Sequence, residues 1–126
     1  MSSSAKVILD SLSPEGHRLT TMEVTFHRFV LAEFNTHRVF SRNSASSRAI
    51  PVAKMLERVE LDPAFPLSWP EEQKGMQGGG PLSFDHIEEA YRVWDQARHN
   101  AVAMAKNLVE LGLHKSVVNR LLEPFL

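Results

Sequence analysis

The chain has 126 residues, 43% of them hydrophobic, with a formal net charge of −1 and no cysteine. These values fit one domain, residues 1–126, with a modest core, and they exclude disulfides, thiolate metal sites and a cysteine nucleophile. The near-neutral charge, and the lack of any apolar run close to the roughly 20 residues of a membrane span, argue against nucleic-acid and membrane partners. Without a signal-peptide pattern, the sequence predicts a cytoplasmic protein.

The first two predicted elements are β-strands. Residues 6–12 alternate in polarity and end in the turn sequence Ser13-Pro14-Glu15-Gly16. Residues 18–26 are rich in threonine and valine, as strands are. We expect the two strands to pair antiparallel. The second has an apolar face formed by Thr20, Met22, Val24 and Phe26.

Residues 28–35 predict a short helix or a turn, because propensity barely separates the two. His27 precedes this segment, and we interpret it as a surface or strand-end histidine without a functional role.

The stretch 33–48 is polar where its neighbours are apolar. Its cationic, hydroxyl and amide side chains are His37, Arg38, Ser41, Arg42, Asn43, Ser44, Ser46, Ser47 and Arg48. Arginine forks combined with short hydroxyl and amide groups suit a phosphate or another anion. The same composition is typical of a solvated loop. Anion binding is favoured because no acidic residue separates the arginines and hydrophobic segments lie on both sides.

The second half of the chain predicts helices around a long loop. Ile50-Pro51 suits the start of a helix that ends near Glu60. The proline-rich residues 61–82 predict a loop, and their run Gly78-Gly79-Gly80 lacks both the Walker spacing and a dinucleotide fingerprint.

One long helix is predicted over 84–111, with Ser83 as its N-cap and Gly112 as its left-handed stop. Its apolar stripe, which includes Tyr91 and Trp94, is typical of a core, and its alanines allow close approach of a helix from the same or another subunit. A further helix starts at residue 115. The fold class is therefore α+β, with an antiparallel sheet flanked by helices and one long helix in the second half.

The polar stretch resembles the signature of the flavin-dependent thymidylate synthases, in particular a phage-type branch. That signature reads Arg-His-Arg, two residues, Ser, one residue, Asn-Glu, one residue, Ser, one residue, Arg. Six positions match at the right spacing: His37, Arg38, Ser41, Asn43, Ser46 and Arg48. Thr36 replaces the first arginine, Ser44 replaces the glutamate, and Glu33 stands where a glutamine is common.

The end of the chain extends the resemblance. In the family, a helix that corresponds to the one predicted from residue 115 carries an arginine four residues before a proline, as Arg120 precedes Pro124 here. The family then continues with a further segment. We therefore expect an N-terminal portion, C-terminally truncated relative to the family. Its apolar last residues should need following chain to cover them.

The resemblance implies an enzyme that converts dUMP to dTMP, with FAD as cofactor, NADPH as reductant and methylenetetrahydrofolate as carbon donor. It implies a homotetramer with sites at subunit interfaces, no metal and no enzymic nucleophile. FAD would contact His37, Arg38, Ser41 and Asn43. The substrate would contact Ser46, Arg48, Arg120, Glu33 and Ser44, and Arg48 would also polarise the uracil ring.

Three alternatives remain open at this stage. The chain could be a non-catalytic nucleotide- or flavin-binding module, or an assembly subunit organised around its long helix. Within the enzyme class, it could hydroxymethylate a pyrimidine nucleotide.

Overall fold

The computed structural model describes residues 1–126 and has the predicted α+β architecture. The strands are β1 (Ser4–Leu12) and β2 (Arg18–Thr25). The α-helices are α1 (Leu31–Thr36), α2 (Val52–Leu61), α3 (Phe84–Glu110) and α4 (Lys115–Val118). Single 3-10 turns cover Arg28–Val30, Asn119–Leu121 and Glu123–Phe125. The antiparallel pairing and the long helix in the second half are confirmed.

The two strands form a hairpin arm, residues 4–25, that stands away from the helices. The turn closes at Gly16, whose φ of 87° needs a residue without a side chain. A bulge at Ile8 interrupts the ladder between Val7 and Leu9. The predicted apolar face of β2 is present but uncovered, since Met22 is 49% exposed and Val24 43%.

The core of the molecule lies between α2, α3 and the last nine residues. Helical spacing places one face of α2 against α3, because residues four apart share a side. Eight residues form the buried cluster: Met55, Val59, Val102, Ala105, Val118, Leu122, Phe125 and Leu126. Ala105, expected to admit a neighbouring helix, therefore contributes to the core of its own chain.

A buried arginine joins α3 to the end of α2. The Arg98 side chain pairs with Asp95 at 2.7 Å and donates to the Val59 carbonyl at 3.1 Å. That carbonyl belongs to the last turn of α2, where intrahelical donors run out.

The ends of α3 are those predicted. The Ser83 hydroxyl accepts a hydrogen bond from the His86 amide at 3.4 Å. At the other end Gly112 has a φ of 78°, and the Leu113 amide reaches back to the Leu108 carbonyl at 3.1 Å. This is the Schellman arrangement that a glycine after a helix predicts.

The helix predicted to start at residue 115 does begin there, but it is only one turn long and continues as 3-10 turns. One expectation for the last segment was wrong. The apolar last residues need no further chain to cover them, because Phe125 is 7% exposed and Leu126 5%. Both pack against α2 and α3 in the core cluster.

The glycine run lies in a loop whose two ends, at Pro70 and Pro81, are paired. Pro70 and Pro81 form an isolated antiparallel bridge, and the Glu71 amide donates to the Gly80 carbonyl at 2.7 Å. A Cβ on Gly78 would lie 2.5 Å from the Pro70 ring, so glycine is required there for close packing.

None of the helices is both long enough and apolar enough to cross a membrane.

Candidate functional site

The polar stretch begins inside α1 and continues as the signature loop, residues 37–51, which leads into α2. The hairpin arm and α1 precede this loop and α2 follows it. Nearly all of its side chains are exposed, with Ser47 buried at 2% exposure. The predicted site residues therefore lie mainly on the surface of the chain.

The three arginines of the stretch have different roles. Arg42 donates to the carbonyls of Phe34, Asn35 and His37, the Asn35 contact measuring 2.9 Å. These carbonyls lie at the C-terminal end of α1, where a cation also favours the helix dipole. Arg42 is thus balanced by backbone dipoles rather than by solvent or a ligand.

Aromatic contacts fix the first half of the loop. The Phe34 and Phe40 rings stack with centroids 5.9 Å apart and planes inclined by only 3°. Phe26, at the end of the hairpin arm, lies 5.0 Å from Phe34, and the His37 ring lies 6.2 Å from Phe40. The chain between α1 and residue 42 is therefore held by packing as well as by Arg42.

Asn119 fixes the second half of the loop. Its side-chain nitrogen donates to the carbonyls of Ser47 at 2.7 Å and Ile50 at 3.0 Å, and Asn119 itself is fully buried. Lys115 adds a longer contact, 3.4 Å, to the Ala49 carbonyl. Within the turn, the Ala49 amide donates to the Ser46 carbonyl at 2.9 Å. The backbone that carries Ser46 and Arg48 is consequently set by residues some 70 positions further along the chain.

Four polar side chains of the stretch are nevertheless free of internal partners. The side chains of Arg38, Ser41, Asn43 and Arg48 are exposed and make no hydrogen bond or ion pair within the chain. The Ser46 hydroxyl only accepts from the Arg48 amide, at 3.3 Å. A loop with a fixed backbone and uncommitted donors can bind an anionic ligand without giving up internal contacts.

Two clefts share Arg28 and Leu31, and only the first is lined by residues of the loop. The first, the hairpin cleft, has a volume of about 300 Å³ and lies where the hairpin arm joins the body. It is lined by Phe26, Ser44, Ser47, Met55, Arg58 and Leu126, among others. Of the predicted substrate residues, only Ser44 lines it.

The second cleft, the arginine cleft, has a volume of about 430 Å³ and lies between α1 and the last 3-10 turns. It is lined by Arg28, Leu31, Asn35, Arg120, Glu123 and Pro124, among others. It contains Arg120 alone among the predicted substrate residues. The remaining predicted contacts, His37, Arg38, Ser41, Asn43, Ser46, Arg48 and Glu33, line neither cleft.

A carboxylate lies between the two arginines of this second cleft. Glu123 Oε1 accepts from Arg28 at 3.2 Å and from Arg120 at 3.0 Å. The Glu123 and Arg28 side chains are only 21% and 25% exposed, whereas Arg120 is 57% exposed. The cluster therefore carries two guanidinium groups and one carboxylate.

Sequence reasoning missed three buried polar residues, namely His27, Asn119 and the Arg98 described above. His27 was interpreted as a surface or strand-end residue but is 4% exposed, and its Nε2 has no hydrogen-bond partner. Its ring packs 5.2 Å from that of Phe29. Asn119 could have been noticed, since it interrupts an apolar segment between Val118 and Leu122.

Comparisons with known proteins add no relative. No protein-family model, no curated protein and no solved structure matches this chain.

Proposed function

We propose that the chain is a portion of a cytoplasmic, FAD-dependent thymidylate synthase that methylates dUMP to dTMP. One observation carries the proposal: four exposed donors of the signature spacing are free of internal partners, while the backbone on both sides is anchored. Arg42, which falls between signature positions, is the arginine that the fold itself uses. Arg38 and Arg48, at signature positions, have no internal partner, whereas Arg42, outside the signature, has several.

The residues present fit the demands of FAD. A dinucleotide offers a pyrophosphate to cationic and amide donors and a large ring system to apolar surface. Arg38, Ser41 and Asn43 supply exposed donors, and Val39 and Phe40 are 91% and 55% exposed beside them. When bound, reduced FAD supplies the hydride for the reaction, NADPH restores it, and methylenetetrahydrofolate supplies the carbon.

The chain's own task is to orient dUMP and to polarise its ring. Arg48 is exposed beside the turn 46–49 and its side chain has no internal partner, so its guanidinium would be available to stabilise negative charge developing on a uracil oxygen. Ser46 positions the substrate rather than attacking it, since no histidine contacts its hydroxyl as a base. Ser44, Glu33 and Arg120 complete the proposed substrate contacts from the two clefts and α1.

We propose a homotetramer as the working form, because the six matched signature residues are exposed on the surface of the chain and line neither cleft. A second surface is available along α3 and the residue that follows it, where Val93 is 53% exposed, Met104 52% and Leu111 81%, on a flank away from the core. Met104→Glu should dissociate the assembly and release FAD. A charge at the fully buried Ala105 would instead unfold the chain. Light scattering that gives a monomer retaining FAD would overturn the shared-site proposal.

A non-catalytic flavin-binding module is the second candidate, favoured by one contact. Thr36 replaces the first arginine of the signature, and its hydroxyl donates to the Glu33 carbonyl at 2.6 Å. It therefore offers no free donor to a cofactor. Bound FAD without conversion of dUMP would select this candidate.

The test of the proposal is cofactor binding followed by substrate titration. Purified protein incubated with FAD and freed of excess should retain the yellow chromophore. Arg48→Ala should then weaken dUMP binding by roughly 2 to 4 kcal/mol in calorimetry, since a charge-assisted contact in a desolvated site is lost. Arg92→Ala is the matched control, because Arg92 pairs with Glu89 on the surface of α3. A colourless protein, or equal losses in both variants, would contradict the proposal.

A further inference from the structure

The cluster Arg28, Glu123 and Arg120 brings two cations from opposite ends of the chain onto one carboxylate. Arg28 follows the hairpin arm, whereas the other two residues lie in the last 3-10 turns. A backbone hydrogen bond holds the two segments together, because the Arg28 amide donates to the Leu126 carbonyl at 2.6 Å. The position of both guanidinium groups is therefore defined by tertiary structure.

The carboxylate occupies the place that a bound anion would take. Both Glu123 oxygens accept from Arg120, at 3.0 and 3.2 Å, and Oε1 also accepts from Arg28. All three side chains line the arginine cleft, which is open and has a volume of about 430 Å³. The two cations and one carboxylate leave a net charge of +1, so the cleft attracts anions while its donors are already engaged.

We propose that Glu123 is a displaceable internal anion that gates this cleft, and that Arg28 is a second anion-binding residue beside Arg120. An incoming ligand must replace the Glu123 carboxylate on both guanidinium groups. The identity of the nucleotide, dUMP, rests on the proposed function. The binding of an anion to the two arginines does not depend on it.

The gate selects ligands by charge. A monoanionic carboxylate offers the arginines no more than Glu123 already does. A phosphate monoester carries a charge of about −1.5 to −2 at neutral pH and three acceptor oxygens, so it outcompetes the internal carboxylate. The ligand class is therefore a phosphate monoester, and the gate would keep carboxylate metabolites out of the cleft.

Glu123→Gln tests the gate directly. The amide keeps the size of the side chain but makes neutral hydrogen bonds, which are about half as strong as charge-assisted ones. We expect the Kd of inorganic phosphate, and that of dUMP, to fall about fivefold in calorimetry, as the arginines are released from a partly solvated ion pair. The Kd of deoxyuridine, which lacks the phosphate, should not change. Acetate, which the unmodified chain should not bind measurably, should bind the variant.

Glu110→Gln is the control, because it removes the same charge from an exposed side chain at the end of α3. Arg28→Gln should weaken phosphate binding about fivefold, since one of two guanidinium groups is lost. If Glu123→Gln does not fold, Glu123→Asp keeps the charge on a side chain too short to reach both arginines, and it should also tighten phosphate binding.

An unchanged or weaker phosphate affinity in the folded Glu123 variant would overturn the gate. So would equal tightening by Glu110→Gln, which would indicate bulk charge alone, or an unchanged affinity in Arg28→Gln. These outcomes are separate from the proposed function. Phosphate binding can respond as expected in a protein that never retains FAD, and FAD can be retained where Glu123 has no effect.

Discussion

The hairpin arm and the helical body both have regular secondary structure, but they differ in burial. Every residue of β1 is exposed, and β2 has only Thr25 partly covered. The body holds the whole buried cluster, with Val59, Val118 and Leu122 completely inaccessible. A two-stranded hairpin is at best marginally stable alone, so the arm depends on its attachment to the body.

The comparison shows that an apolar pattern does not by itself predict burial. Leu12 in the arm is 69% exposed, whereas Leu122 in the body is 0% exposed. Both belong to apolar segments of the sequence. Substitutions in the body, the signature loop and the arm should therefore differ in effect, with the largest loss in the body and the smallest in the arm.

Leu122→Ala should lower the free energy of unfolding by roughly 2 to 5 kcal/mol, since it removes a fully packed side chain and leaves a cavity. Leu12→Ala in the arm should change it by less than about 0.5 kcal/mol, because little surface is buried there. Urea denaturation of both variants measures the difference. Similar losses would show that the arm is covered in solution.

Asn119→Ala should cost roughly 1 to 3 kcal/mol, because two buried carbonyls, of Ser47 and Ile50, lose their donor. In the variant, amide exchange should become faster in residues 46–50 than it is in the unmodified chain, and this increase should be larger than any increase in α3. Uniform protection across both segments would indicate that Asn119 does not hold the signature loop. Asn100→Ala, on the exposed face of α3, is the control.

Arg42→Ala should destabilise by about 0.5 to 1.5 kcal/mol, because exposed hydrogen bonds to the end of α1 are lost. Arg38→Ala, with no internal partner, should leave stability unchanged. Thermal melts of the two variants provide the measurement. A destabilised Arg38 variant would contradict the division between committed and free arginines.

The smallest effect should be the response of the arm to acid. The Arg18 guanidinium, and then the Thr20 hydroxyl, hold the pKa of Asp10 below its ordinary value. A carboxyl with a lowered pKa in the folded state contributes stability above its unfolded pKa, near 4, and loses it as the pH falls through the folded value. Amide signals of the arm should therefore weaken below about pH 4, before those of the body. Asp10→Asn should reduce the dependence, and the remainder should come from Glu15, whose pKa is also lowered, by a hydrogen bond from Ser13.

Local signals in the sequence determined most of the secondary structure. The threonine- and valine-rich strand, the Ser83 cap, the Gly112 stop and the long periodic helix are each defined by neighbours within a few residues. Such signals act through backbone conformation and near hydrogen bonds, so they are visible without the fold. The signature spacing predicts a functional role for the loop, and that role stays a prediction.

The tertiary structure alone decided which side chains remain free. Arg42 is committed because it folds back onto α1, and Asn119 holds a turn some 70 residues earlier in the chain. Burial of His27 and of the last two residues likewise depends on packing across the whole molecule. Spacing along a chain records which groups are near in sequence. Whether a guanidinium meets a carbonyl, a carboxylate or solvent depends on contacts between distant segments, which the sequence does not display.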